Sequence, residues 1–359
     1  MKPVTYFKVA CLSLITIVCC VSLSTAATSQ PTAGSLWSHD NLFAWCVTGF
    51  DAKADRTPEQ RAEMFQALGI KGYAYSWHVQ DIPIFDQEID AMQRHGINMF
   101  AWWFPYDADD PMAKLVLEVL KRRNLHPQLW VMQHFSKENL AEWDMYPKDA
   151  LSPDDQQHLK DKEKGPPHDD WWKQDVLPLY EDFPKTPAER KERVQREAAR
   201  IEAIVKLAAP YGVTVELYSH NGWYGVPTNE IAIIKALAKR GITNVGIVYN
   251  FSHLRDELHD DTRDFGHLWE QMKPYVVAIN VTGTRADGQG RIYPSQGDQE
   301  LHLMRVIEHS GWRGPVGVIA ERGGDAAETL RNYITGVDWL AAEIKRPGSG
   351  GPRPFPPAR

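Results

Sequence analysis

Cysteine is nearly absent from the body of this 359-residue sequence. Of four cysteines, Cys11, Cys19 and Cys20 fall in an N-terminal leader and only Cys46 lies beyond it. A single thiol cannot close an intramolecular disulfide, so the fold must rest on its apolar core. Runs of Lys and Arg are also missing, and the formal net charge is −7. That balance argues against nucleic acid and anionic lipid as partners, since both are held by clustered cations. No strand-like segment is followed by a GxGxxG or GxxxxGK[ST] loop, so no nucleotide cofactor is expected. What the chain does have is 43% hydrophobic residues, 24% charged residues and 13 tryptophans, the composition of a globular protein with a sizeable core.

The leader itself follows a secretory pattern. Lys2 and Lys8 give a basic start, Val9 to Leu23 form an apolar run, and small residues follow in "STAATSQ". Residues 1–27 therefore read as a signal peptide cleaved near Ala26 or Ala27. An exported protein, periplasmic or extracellular, is expected, with no membrane segment in the mature chain.

After the leader, short β-rich runs alternate with amphipathic helical stretches. "NLFAWCV" (41–47) precedes a helix opened by Thr57 and Pro58, a cap followed by a proline at the first helical position. "KGYAYSW" (71–77), "INMFAWWF" (97–104) and "HPQLWVMQH" (126–134) continue the series. "VTVELYSH" (213–220), "NVGIVYNF" (244–251), "YVVAINV" (275–281) and "GPVGVIA" (314–320) complete it, each with a helix behind it. Eight strand-helix units predict a single (β/α)8 barrel over residues 35–345, because parallel strands need helical crossovers and closure removes sheet edges. A doubly wound open sheet is the alternative, since periodicity does not show closure. A charged, proline-containing insert (about 136–188) follows the fourth strand, where it would rise over the face that carries barrel active sites, with Trp171 and Trp172 placed to cover a ligand or pin the insert. Residues 346–359 read as a flexible tail by composition.

Alternation along the fifth strand places Glu216, Tyr218 and His220 on one face and Val213, Val215, Leu217 and Ser219 on the other. The apolar face should meet the helices, which sends Glu216, Tyr218 and His220 toward the barrel axis. Glu216 lies deeper, where burial would raise its pKa or a salt bridge would hold it. Other strands add polar groups at their carboxyl ends: His78, Gln133 or His134, Asn250, His253, Asn280 and Glu321. Imidazole, amide and carboxylate groups gathered at one rim suit polyol recognition, proton transfer or a divalent metal. Trp45, Trp77, Trp102 and Trp103 offer aromatic faces for a sugar ring or simply fill the core.

The segments "NLFAWCVTGFDA", "GYAYSWHVQDIPIFDQEIDAMQRHGI", "PQLWV", "LYSHNGW", "VGIVYNFSH" and "GQGDQELHLMRVIEHSGWRGPVGVI" resemble the xylose isomerase-like TIM-barrel family of sugar (phosphate) isomerases and epimerases, especially its secreted, planctomycete-type branch. The resemblance implies a divalent metal (Mn, Zn, Mg or Co) held by acidic residues and a histidine, and proton transfer through an enediolate. This chain departs from that pattern. The motif the family usually reads Leu-Glu-Asn-His stands here as Leu217-Tyr218-Ser219-His220, Asp-x-x-His stands as Asn250-Phe251-Ser252-His253, and Asn280 matches a histidine position. Glu321 keeps the acidic type. A rebuilt metal set of His220, His253 and Glu321 is one expectation. The other is metal-free chemistry, with Glu216 or Glu321 as base, His220 or His253 as acid, and Asn250 and Asn280 as donors to an enolate oxygen.

The leader and the resemblance together imply an exported carbohydrate-active enzyme of isomerase or epimerase type. Its catalytic candidates are Glu216, His220 and Glu321, and its substrate-binding candidates are Trp45, His78, Trp102, Gln133, Tyr218, Asn250 and Asn280. The expected partner is a small neutral or oxidised sugar. Export argues against a sugar phosphate, for which Arg285, Arg291 and Arg322 are the candidate clamp. A lyase or dehydratase sharing the same first proton abstraction is one alternative, and a non-catalytic saccharide-binding barrel with a degenerate metal site is another.

Overall fold

Helix starts are set by short-range chemistry. Thr57 and Gln60 form a reciprocal capping box at the start of α1 (Pro58–Ala67), and Pro58 takes a position whose N–H would have no helical partner. Asp110 and Thr186 cap α3 (Pro111–Arg122) and α4 (Pro187–Ala208) by accepting the N–H groups of Met112 and Glu189, again with proline next. Asp325 caps α8 (Ala326–Lys345) by accepting the N–H of Glu328 at 2.9 Å. The remaining helices are α2 (Phe85–Arg94), α5 (Pro227–Ala238), α6 (Phe265–Met272) and α7 (Glu300–His309).

Between them run eight parallel strands: β1 (Leu42–Trp45), β2 (Gly72–Tyr75), β3 (Asn98–Phe104), β4 (Gln128–Val131), β5 (Thr214–Tyr218), β6 (Val245–Asn250), β7 (Val276–Val281) and β8 (Val316–Ile319). They pair in chain order and β1 closes on β8, so the computed structural model is a (β/α)8 barrel rather than an open sheet. It describes residues 35–48, 51, 53–133, 184–220, 222–251, 264–285, 292–319 and 324–358. Residues 1–27, expected to be a signal peptide, the greater part of the insert with Trp171 and Trp172, His134, His253, Arg291, Glu321 and Arg322 lie outside the described residues. Among the described residues no helix is long and apolar enough to cross a membrane.

The barrel interior is filled with aromatic rings. Phe43, Phe100 and Trp130 form one edge-to-face group, with Phe43 and Phe100 centroids 4.6 Å apart. Small residues make room for large ones. A Cβ on Gly317 would stand 2.1 Å from the Asn280 Oδ1 and 2.6 Å from the Phe43 ring, so β8 can run here only without a side chain.

Sequence composition reads residues 346–359 as a flexible tail, and the structure gives residues 346–358 a set of specific contacts. The segment folds back along α8: Trp339 Nε1 donates to the Gly351 carbonyl at 3.2 Å, and the Phe355 ring lies 5.2 Å from Tyr293. Gly348 (φ +81°) and Gly351 (φ +69°) supply the left-handed turns that let the chain reverse.

Candidate functional site

The site is built on β5. Its residues alternate as the sequence predicts: Ser219, on the outward face, donates its hydroxyl to the buried Glu230 carboxylate of α5 at 2.7 Å, while Tyr218 points inward. There the Tyr218 ring meets Trp103 (centroids 4.6 Å), stacks on Trp130 (5.7 Å, 20°) and touches Trp45 (5.9 Å). Three strands besides its own thus fix the phenol in position.

Its hydroxyl oxygen accepts two amide N–H groups, from Asn250 at 2.7 Å and from Asn280 at 3.4 Å. These asparagines are register partners on β6 and β7, so one β-ladder delivers both donors to one oxygen. Tyr218, Asn250 and Asn280 are at most 1% exposed. Three further buried polar atoms of this layer, Trp45 Nε1, Trp103 Nε1 and Asn280 Oδ1, have no hydrogen-bond partner among the described residues. Native interiors leave few such atoms unpaired, and these supply two donors and one acceptor beyond what the protein uses.

His220 follows two residues after Tyr218, toward the carboxyl end of the barrel, with ring centroids 6.1 Å apart. It is half-buried. The β5–α5 loop crosses directly over its backbone, since a Cβ on Gly225 would lie 1.7 Å from the His220 carbonyl oxygen. His78 and Gln133 also sit at this rim, half-buried, after β2 and β4. His78 begins a short 3-10 turn, its backbone N–H donating to Asp81 at 2.7 Å.

Two predicted residues are placed elsewhere. Trp102 faces the helix layer: its ring packs edge-on against Tyr75 (4.8 Å) and Phe85 of α2 (5.2 Å), away from the barrel axis. The bulge in β3 between Asn98 and Ala101 explains this: it breaks the alternation that starts from the inward Phe100, so Trp103 and not Trp102 reaches the inward face, and Trp102 does not stand where a substrate-binding residue was expected. Glu216 does point inward, but one pleat below Tyr218. Its carboxylate accepts the N–H of Gly246, the second residue of β6, at 2.7 Å, on the side of the barrel away from the rim. It ties strands together there and is not a catalytic group at the mouth. Trp130, absent from the sequence reading, belongs to the site layer. The signal was available in "QLWVMQ", where alternation carries Trp130 to the inward face.

Burial pushes the Glu216 carboxyl up to about 7, against the opposing pull of the Thr214 hydroxyl and the Gly246 N–H. A protonated carboxyl in the fold and an ionised one in the unfolded chain make stability decline as pH rises from about 4.5 to about 7. The expected loss is about 3 kcal/mol. Glu216→Gln should flatten this part of the curve, as read by urea denaturation at several pH values; an unchanged slope would show that Glu216 ionises normally in the fold.

A divalent cation does not fit the described part of this site. Hard cations are held by anionic oxygens, and here a phenol and two amides meet with the amide N–H groups turned inward. Among the described residues no group of three or more His, Cys, Asp or Glu could hold an ion. Of the predicted ligands only His220 is described.

No protein-family model matches the chain, and no curated protein matches its sequence. Solved structures do share its fold. A xylose isomerase-like TIM barrel protein from Mycobacterium smegmatis, in complex with magnesium, superposes with a TM-score of 0.50 at 14% identity, over 87% of this chain and 98% of that one. A 3-keto-D-glucoside 4-epimerase from E. coli gives 0.50 at 13%, over 84% and 98%. A D-allulose 3-epimerase from Methylomonas sp. gives 0.51 at 9%, over 84% and 98%. The chain has the xylose isomerase-like TIM-barrel fold.

Proposed function

We propose that this barrel is an exported carbohydrate-active enzyme of the isomerase or epimerase kind, acting on a neutral or oxidised sugar by moving a proton next to a carbonyl. The observation that carries the reading is the polar layer beneath His220. The Tyr218 hydroxyl fixed by Asn250 and Asn280, with Trp45, Trp103 and Asn280 atoms around it that have no partner among the described residues, supplies neutral donors and an acceptor of the type a polyol or carbonyl requires. The two epimerases that share the fold are named for sugars, which supports the same substrate class.

In this reading His220 takes the proton from the carbon beside the carbonyl. The C–H electrons form the carbon-carbon double bond of an enediol, and the charge that develops on the carbonyl oxygen is met by hydrogen-bond donors. Delivery of a proton to the other face of the same carbon gives an epimer; delivery to the former carbonyl carbon, with the neighbouring hydroxyl proton passing to the charged oxygen so that the carbonyl shifts, gives an isomer. Glu321 remains the proposed second proton carrier, and His78 and Gln133 the proposed rim contacts. Nothing in this sequence of steps passes through a metal. A lyase or dehydratase would share the first step and differ by eliminating a group from the enediol.

The test is incubation with a panel of neutral aldoses, ketoses and keto-glycosides in D2O, read by NMR. Deuterium at the carbon next to the carbonyl supports the reading. Saccharide binding without any incorporation across the panel would move the protein to the second reading, a binding barrel. That alternative has its own support, for the phenol-amide layer is almost completely buried.

A further inference from the structure

The segment after α8 makes contacts that a passive tail would not. The Glu343 carboxylate accepts the N–H groups of Gly348 at 2.9 Å and Gly350 at 2.8 Å, and Ser349 Oγ donates to the Ala342 carbonyl at 2.7 Å. Together these fold the chain back beside the last turn of α8. Further along, the Arg353 guanidinium lies 5.5 Å from the centre of the Trp339 ring and donates to the Gly297 carbonyl at 2.6 Å. Phe355 then meets Tyr293, and the Ala358 N–H donates to the Gln296 carbonyl at 3.0 Å. Read in order, the partners climb from Glu343 through Trp339 to residues 293–297.

Those last partners belong to the loop that follows β7, at the carboxyl-terminal end of the barrel. Its described arms, residues 282–285 and 292–299, are wired to β7 by a second set of bonds. The Thr282 hydroxyl donates to the Ile292 carbonyl at 3.0 Å, and the Gly283 N–H donates to the same carbonyl at 3.0 Å. Buried Glu300 accepts from Thr284 N at 3.1 Å and from Gly297 N at 2.9 Å. Gly297 is the junction: its N–H is held from the barrel side and its carbonyl from the tail. Asn280 lies two residues before Thr282, so the same loop grows directly out of the strand that carries a donor to Tyr218.

Composition explains how so polar a segment can be ordered. Pro352, Pro354, Pro356 and Pro357 restrict the unfolded chain to extended conformations, so little entropy is lost on docking. Arginine fits the junction better than lysine would, because its planar group can stack on an indole and direct an N–H at a carbonyl at once.

We infer that residues 346–358 form a strap that positions the β7 side of the barrel mouth, with Arg353 as its positioning residue. The mechanical coupling stands on the contacts alone, whereas its effect on sugar handling rests on the proposed function. Hydrogen exchange read by mass spectrometry tests the coupling on the full chain, on Arg353→Ala, on Arg353→Lys and on a chain ending at Arg346. In the alanine variant and the shortened chain, amides of residues 283–285 and 292–299 should exchange at least about tenfold faster while β2 to β4 stay protected. Lysine should recover part of that protection. Unchanged exchange in the loop, or acceleration spread equally over all eight strands, would overturn the strap. The D2O assay on the unaltered protein separates the two ideas: failure there with faster loop exchange in the variants removes the catalytic reading and keeps the strap.

Discussion

Deuterium incorporation next to the sugar carbonyl should fall by at least about a hundredfold in His220→Ala, with saccharide binding changed only modestly. Positioned acid-base groups contribute about 10²- to 10⁴-fold to such reactions, and His220 is the described side chain at the rim best suited to carry a proton. The rest of the site would survive the change. The ring is half-buried and 6.1 Å from Tyr218, while the loop over it packs closely on the His220 backbone, which alanine retains. A rate within about fivefold of the parent would mean that the proton travels elsewhere. Equal losses of binding and rate would instead make His220 a binding contact.

Tyr218→Phe should cost about 2 kcal/mol of folding stability although it removes one oxygen and creates almost no cavity. A buried donor left without its acceptor costs about 1–3 kcal/mol. The Asn250 bond at 2.7 Å should account for most of the loss, and the Asn280 bond at 3.4 Å for less. Replacing both partners of a buried hydrogen bond by apolar groups of similar shape is far less damaging. Tyr218→Phe combined with Asn250→Leu should therefore recover stability relative to the sum of the single changes. Urea denaturation of the two single variants and the double variant reads this directly. A neutral Tyr218→Phe, or strict additivity, would show that the phenol is not bound as described.

The barrel was legible in the sequence because caps, prolines and strand periodicity are local signals, and Thr57-Pro58 or the alternation along 213–220 needs no tertiary context. The inward face of β5 followed from the same alternation. Other features depend on distances across the barrel. Glu216 was recognisable as deep, but its partner is a backbone N–H on the adjacent strand, and no side-chain pattern records that. Trp102 and Trp103 are equivalent by composition, and only the register with Trp130 separates them. The contacts of residues 346–358 are not legible in composition, because proline and glycine suggest flexibility and the partners Trp339, Tyr293 and Gly297 lie on α8 and in the loop after β7. That Tyr218 and Asn250 stand where the family the sequence resembles has acidic residues was visible in sequence, while the bond between the two was not.

The central claim is that this rim moves a proton on a sugar through neutral donors and His220, without a cation at the strand positions of Tyr218, Asn250 and Asn280. The most direct test is deuterium incorporation into a responsive sugar with and without a strong chelator, followed by addition of Mg, Mn, Zn or Co. The account predicts incorporation that the chelator leaves unchanged and that His220→Ala removes. Incorporation abolished by the chelator and restored by one divalent ion would contradict it and show that a metal centre carries the reaction.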